Sequence, residues 1–237
     1  MLARNSLLIA VLMMFLCQCK TITVSNRTGW NSYKVQFAVT QKPTYPYFSL
    51  YDEEMICIQS IIEKQLIDKD LRYVLDRVQS YDYSWYIEGT ISGRISQSDL
   101  QSYLSQIVFL RIIGESNSTL LTGNNLVNVS DIRQNASSSR VQNKGILLLQ
   151  FDEEGQRILS EITSLLQGKR IHFFLGEEEI LSASVNEIVR DGRVVLLLEN
   201  KVTHSALVPV ERYLLWLNGA RLLHRTNVEL TIIEPNS

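Results

Sequence analysis

Gly145-Ile-Leu-Leu-Leu-Gln-Phe-Asp-Glu-Glu-Gly155 is the stretch on which the fold turns. Residues 146–151 are apolar on both faces, as a central strand is. Asp152, Glu153 and Glu154 then gather at one point, where a helix N-terminus favours acids. Ile158, Leu159, Ile162, Leu165 and Leu166 recur at the spacing of one amphipathic helical stripe. Gly168 stands where a left-handed residue closes a helix, with Lys169 and Arg170 near its negative end. Three apolar runs follow, residues 171–175, 180–185 and 194–198. They are separated by the acidic turn Glu177–Glu179 and by Asp191-Gly192, a hairpin-turn dipeptide. Upstream, residues 120–126 read as a short strand turning at Gly123, and the serine-rich residues 134–143 as a polar, mobile hairpin tip. Residues 120–199 therefore form a strand–helix–strand–strand–strand module.

The flanking sequence forms a second module from the two chain ends. Val35, Phe37 and Val39 alternate with polar neighbours, the period of a half-buried strand. Tyr45, Tyr47, Phe48 and Tyr51 crowd around Pro43 and Pro46, and this cluster is expected to be a loop packed on the core. Asp52-Glu53-Glu54 opens a helix carrying Met55, Ile58, Ile61, Ile62 and Leu66, and Leu71, Val74, Leu75 and Val78 continue at helical spacing. One broken helix or two short ones are expected over residues 52–78. A strand follows over residues 84–91, then a helix opened by the capping-box form Ser98-Asp-Leu-Gln101, then a strand over residues 108–113. Strand Val202, a helix over 206–217 ended by Asn218-Gly219, and a strand over 227–233 complete the chain. This order fits an α+β fold with helices on one face of a sheet.

Composition narrows the function. With 237 residues, 45% of them hydrophobic, the chain can bury a real core, and a net charge of −2 argues against a nucleic-acid partner. Arg4 and an apolar run of about ten residues from Leu7 have the form of a targeting segment. It ends in Leu16-Cys17-Gln18-Cys19, which resembles a bacterial lipobox with Cys19 as the acylated residue, although Gln18 departs from the usual small residue. Acylation anchors a protein without a spanning helix, and no later segment is apolar over the roughly 18 residues that spanning requires. Outside the leader only Cys57 remains, in an apolar setting, so a disulfide scaffold is excluded. Sequons at Asn26, Asn117, Asn128 and Asn135 matter only in a eukaryotic secretory pathway, against which the leader argues.

No catalytic constellation emerges. His172, His204 and His224 lack ligand-spaced partners, Gly-x-Ser-x-Gly is absent, and Gly123 has no phosphate-loop context. Asp152–Glu154 and Glu177–Glu179 read as helix-start and turn chemistry. An enzyme would need a deep pocket gathering Glu177–Glu179 with His172. The expectation is a non-enzymatic protein without metal or cofactor.

Thr122-Gly-Asn-Asn-Leu126, Phe151-Asp-Glu-Glu-Gly155, Gly168-Lys-Arg-Ile171 and Leu175-Gly176 through Leu181-Ser-Ala183 resemble, in order and spacing, the first periplasmic domain of SecD, an auxiliary subunit of the bacterial Sec export machinery. Leu214 to Leu222 and Ile232-Ile-Glu234 resemble its returning base segment, and residues 76–78 and 109–111 match more loosely. Ser184, Asp191 and Leu197 or Leu198 depart from the family pattern. SecD continues into membrane helices that this sequence does not contain, so proton-coupled work is not carried over. The targeting segment makes residues 1–19 a leader and the polar residues after it a tether (20–32), and the resemblance implies a ferredoxin-like base (33–115 and 200–234) and an inserted α+β head (116–199). It further implies a membrane-tethered module of the bacterial envelope, facing the periplasm. Its implied partners are the Sec translocon or SecD/SecF-like membrane subunits and exported polypeptides, with membrane attachment through the lipid anchor and no nucleic acid. Polypeptide binding would fall to the head motifs Thr122, Gly123, Leu126, Phe151, Gly155, Gly168 and Lys169, near residues 134–143 and the groove between head and base. The alternative is an envelope lipoprotein that keeps the fold in a structural or scaffolding role.

Overall fold

The alternation Val35, Phe37, Val39 does form a strand, β1 (Asn31–Gln41), in which Tyr33, Val35, Phe37 and Val39 are buried. Helix α1 (Asp52–Asp68) follows, its first turn acidic and the Glu54 carboxylate accepting the Tyr51 backbone N–H at 3.1 Å. After it come β2 (Arg72–Gln79), β3 (Trp85–Gly93) and α2 (Gln97–Ser105). The computed structural model describes residues 29–44, 50–105, 110–114, 119–132, 144–199, 201–203 and 206–233. The leader with Cys19, the aromatic residues 45–49, the tip 134–143, the sequons at Asn26, Asn117 and Asn135, and His204 lie outside these residues.

The remaining elements are β4 (Leu110–Gly114), β5 (Thr119–Thr122), a 3-10 turn (Gly123–Asn125), β6 (Leu126–Asp131), β7 (Lys144–Phe151), α3 (Glu153–Leu165), β8 (Arg170–Leu175), β9 (Glu178–Ser184), β10 (Arg193–Glu199), β11 (Lys201–Thr203), β12 (Ala206–Val208), α4 (Val210–Arg225) and β13 (Thr226–Ile233). A four-stranded antiparallel sheet has the order β13-β1-β3-β2. With α1 between β1 and β2, and α4 before β13, this is the β-α-β-β-α-β, ferredoxin-like arrangement. The long segment from α2 to β12 is inserted between its third strand and second helix. Within it, β5-β4-β8-β9 and β10-β7-β6 form two further sheets, and β11 pairs with β12. The fold class is α+β. From Asn31 on, the chain is one compact unit, with side chains of every described helix in a continuous core.

Four expectations need correction. Residues 72–79 are strand, not helix: Asp70 adopts a left-handed φ of 53° that ends α1, and Tyr73, Val74 and Val78 suit an edge strand. Their helical spacing is accidental, since Val74 faces solvent while Leu71 and Leu75 are buried. The strand expected over 108–113 as part of the base, β4, instead pairs with β5 and β8 of the inserted segment. Asp191-Gly192 joins no hairpin, because β10 pairs with β7 and not with β9. Finally, α4 starts after Pro209 and runs through Asn218-Gly219 to Arg225.

Smaller differences have equally local causes. The cap of α2 is Ser96, whose Oγ accepts the Asp99 N–H at 3.1 Å, not Ser98. Leu165 lies on the predicted stripe of α3 but is exposed, while Leu159 and Ile162 are buried.

Gly219 explains why α4 does not stop there. It sits where α4 crosses α1, and a Cβ at this position would overlap the Cys57 carbonyl oxygen and crowd Ile61. The glycine permits close helix approach. Gly219→Val is expected to destabilise the protein by about 1–3 kcal/mol through overpacking. Urea unfolding with an unchanged midpoint would refute this account of the crossing.

Candidate functional site

Five of the seven motif residues meet at one junction. Leu126 at the start of β6 pairs with Phe151 at the end of β7, and Thr122 and Gly123 lead into the turn before them. Asp152 caps α3: its Oδ1 accepts the Gly155 N–H at 2.7 Å and the Asn125 side-chain amide at 3.1 Å. The Asp152 N–H donates to the Asn125 carbonyl at 2.9 Å. A Cβ on Gly155 would stand 2.7 Å from the Asn125 Cβ and 2.9 Å from the Phe151 Cβ. Glycine is therefore required where the turn presses on the first turn of the helix. Gly123, Leu126, Phe151 and Gly155 are all buried, so this motif shapes backbone.

Gly168 and Lys169 lie elsewhere, in the connection from α3 to β8. Gly168 has φ +79°, its N–H donates to the Val185 carbonyl at 2.9 Å, and the Val185 N–H returns a bond to the Lys169 carbonyl at 2.9 Å. This connection is a closing turn with an exposed Lys169 side chain.

A second polar centre was not legible from spacing. Lys64, only 2% exposed on α1, pairs with Asp68 Oδ1 at 2.6 Å and with Glu178 Oε2 of β9 at 3.2 Å. Its Nζ also lies 5.1 Å from the centre of the Trp216 ring of α4. Tyr213, one turn earlier on α4, donates its hydroxyl to Glu178 Oε1 at 2.8 Å and meets Trp216 edge to face. Beside it, Lys69 pairs with Glu177 at 3.1 Å, and the Tyr103 hydroxyl of α2 donates to the Gln65 carbonyl at 2.8 Å. The β8–β9 turn is thus gripped by α1 and α4. Burial pushes the Tyr213 hydroxyl well up, as does its bond to Glu178, so it remains a proton donor. Burial also raises the Asp68 carboxyl, against the pull of Lys64 and with a further push from Glu178 and Glu177.

The acids Glu177, Glu178 and Glu179 go to three different places. Glu177 takes Lys69, Glu178 takes Lys64 and Tyr213, and Glu179 lies 3.4 Å from His172 Nδ1. His224 closes α4, its imidazole lowered by burial and by Lys42 and Arg225. Cys57 is raised by burial, the setting of an unreactive structural thiol. Among the described residues, no group of three His, Cys, Asp or Glu side chains could hold a metal ion.

The third feature is a surface. Ile132, Ile146 and Leu197 form one row across β6, β7 and β10, and Ser130, Leu148 and Val195 form the next. These side chains point away from the buried Leu147, Leu149, Leu196 and Leu198. Val195 and Leu197 are 50% and 63% exposed. An apolar sheet face is open to solvent.

No protein-family model and no curated protein matches the sequence. Solved structures do. SecDF from Thermus thermophilus, described as a translocon-associated membrane protein, matches with a TM-score of 0.52 and 14% identity over 85% of this chain and 30% of that one. SecDF in a super-membrane-facing form matches at 15% identity, over 84% of this chain and 30% of that one, with a TM-score of 0.38. A third SecDF structure, of a membrane component that enhances protein export, matches at 14% identity and a TM-score of 0.38, over 85% of this chain and 99% of that one. The chain spans about 30% of the length of two of these three. It has the α+β fold of that part of SecDF. No helix among the described residues is long and apolar enough to cross a membrane.

Two outcomes test the polar centre. Lys64→Met leaves Asp68 and Glu178 without their buried cation and is expected to cost about 3 kcal/mol, against near-neutral replacement of an exposed lysine. Asp68 gives a pH signature. Its folded pKa is raised, so its contribution is fully present below the ordinary carboxylate value and is lost as pH rises through the raised one. Denaturation from about pH 3 to about pH 7 should show wild type losing stability relative to Asp68→Asn over that window. Parallel curves would refute the assignment.

Proposed function

We propose that this chain is a membrane-tethered, extracytoplasmic, SecD-like module, without enzymatic activity, that binds or guides exported polypeptides late in Sec-dependent translocation. The fold shared with part of SecDF, itself described as a translocon-associated membrane protein, supports the reading. The observation that carries it is the open apolar face of Ile132, Ile146, Leu148, Val195 and Leu197, because a chain not yet folded presents apolar segments that such a face can take up without sequence preference.

In this reading β1–β3, α1, α4 and β13 are the base and β4–β10 the head, which thus begins at β4 rather than at residue 116. The motif residues Thr122, Gly123, Leu126, Phe151 and Gly155 hold the head in shape, and Gly168 and Lys169 close its helix. Contact with the polypeptide falls to the open face. Anchoring through Cys19 places the module at the membrane surface, beside the translocon or SecD/SecF-like subunits.

Site-specific photocrosslinking tests this. A photoreactive residue at Leu197 should label a secretory precursor during export, and one at Val74, which is equally exposed on β2, should not. Val195→Asp with Leu197→Asp should abolish labelling from Leu148 while leaving stability within about 0.5 kcal/mol, as exposed substitutions do. Labelling confined to folded envelope proteins would favour the scaffolding alternative. Equal labelling from Val74 would sink the proposal.

A further inference from the structure

The two edges of the β10-β7-β6 sheet are treated differently. The Phe151 N–H donates to the Gly192 carbonyl at 2.9 Å, and the register pairs Val194 with Leu149 and Leu196 with Leu147. Hydrogen-bonded and non-hydrogen-bonded pairs alternate in an antiparallel ladder. Even-numbered residues of β10 therefore turn their backbone groups toward β7, and Arg193, Val195, Leu197 and Glu199 turn theirs to the open side. The Arg193 N–H follows this rule by bonding outside the ladder, to Asp191 Oδ1 at 3.1 Å.

At the opposite edge the same alternation points the Val129 carbonyl outward, the register shift at Val127 leaves its carbonyl outward too, and α4 covers both. Arg221 Nη1 donates to Val127 at 3.2 Å and Asn218 Nδ2 to Val129 at 3.5 Å. β10 has no such cover: β9, its neighbour in space, forms no ladder with it, and the backbone of Val195 and Leu197 bonds to nothing outside β7 among the described residues. The strand also lacks the lysine, proline or bulge that usually protects an edge, since its interior reads Val-Val-Leu-Leu-Leu.

We infer that the open edge of β10 pairs antiparallel with β10 of a second copy of this chain, about a two-fold axis through Leu196. The sequence Arg193-Val-Val-Leu-Leu-Leu-Glu199 is complementary to itself in this register. Val195 falls opposite the partner's Leu197, and Arg193 opposite the partner's Glu199. These are the residues whose backbone groups face outward: each Val195–Leu197 pair is a hydrogen-bonding pair, each Arg193 carbonyl accepts from the partner's Glu199 N–H while the Arg193 N–H stays with Asp191, and Leu196 meets its own copy between them. Centring the pairing on Val195 instead would set Arg193 against Leu197 and leave Glu199 outside the ladder. The full strand and its terminal charges select one register. The closed, isologous result is a six-stranded sheet whose apolar outer faces join.

The inference stands on the edge geometry and is independent of any role in export. Sedimentation velocity of the detergent-solubilised full chain tests it across a concentration series. Wild type is expected to show a dimer. Arg193→Glu and Glu199→Arg are each expected to be monomeric alone, to form a dimer when mixed in equal amounts, and to dimerise as the double variant in one chain. Val195→Lys with Leu197→Lys should be monomeric, with an unchanged circular-dichroism spectrum showing that it has folded. A wild-type monomer at every concentration, or a dimer indifferent to the lysine variant, overturns the interface. A dimer lost in the lysine variant but indifferent to charge reversal overturns the register.

Discussion

One ammonium group, that of Lys64, sits where three parts of the chain must agree. It lies on α1 of the ferredoxin-like sheet-and-helix layer, bonds Glu178 on β9 of the inserted segment, and packs against Trp216 of α4. A charge this deeply buried is tolerated only while its partners stay in place. Removing β9 from α1 would strand Lys64 with Asp68 alone and would strip the Tyr213 hydroxyl of its acceptor. The inserted strands are thus coupled to the helices by a polar contact set that is satisfied in one arrangement, whereas apolar contacts alone would accept many. The grip fixes position more than it adds stability, because desolvation offsets much of a buried pair's attraction.

The opposite economy rules the Thr122–Gly155 junction. There almost every constraint is steric or backbone-borne: a capping carboxylate, a carbonyl of Asn125 and a glycine too close to its neighbours to carry a Cβ. Such a junction is held by close backbone approach and by the bonds of Asp152 and Asn125. It sets the angle at which β6 and β7 leave α3, and so fixes the orientation of the sheet whose outer face is open.

Much of this organisation was readable from residues, and the limit of legibility is physical. Short-range signals carried through: the alternation in β1, the acid-led starts of α1 and α3, and the apolar run of β7 all depend on neighbours a few positions apart. What failed depended on partners distant in sequence. Leu71, Val74, Leu75 and Val78 satisfy a helical spacing, and only pairing with β3 makes them a strand. Asn218-Gly219 has the composition of a helix end, but its glycine answers to Cys57 on another helix. β4 belongs to the sheet of β5 and β8 by pairing that no local pattern announces. Lys64 carries no signal in its local sequence. Its role appears only when β9 arrives beside it, and the acids read as turn chemistry supply its counter-charge.

The grip and the open sheet then bear on each other. Glu178 is held at the start of β9, and the same inserted segment presents Val195 and Leu197 on β10. In the proposed role, a surface that takes up apolar chains needs a rigid support, since an apolar face on a mobile sheet would bury itself. Here the support is polar and buried at the β8–β9 turn, steric at Gly155, and completed by α4, which closes the β6 edge through Arg221 and Asn218. Among the described residues, the inner face and the β6 edge of this sheet are packed, so its exposure lies on one face and one edge. On the proposed readings, that confinement leaves the face for recognition and the edge for a strand of matching length and charge order.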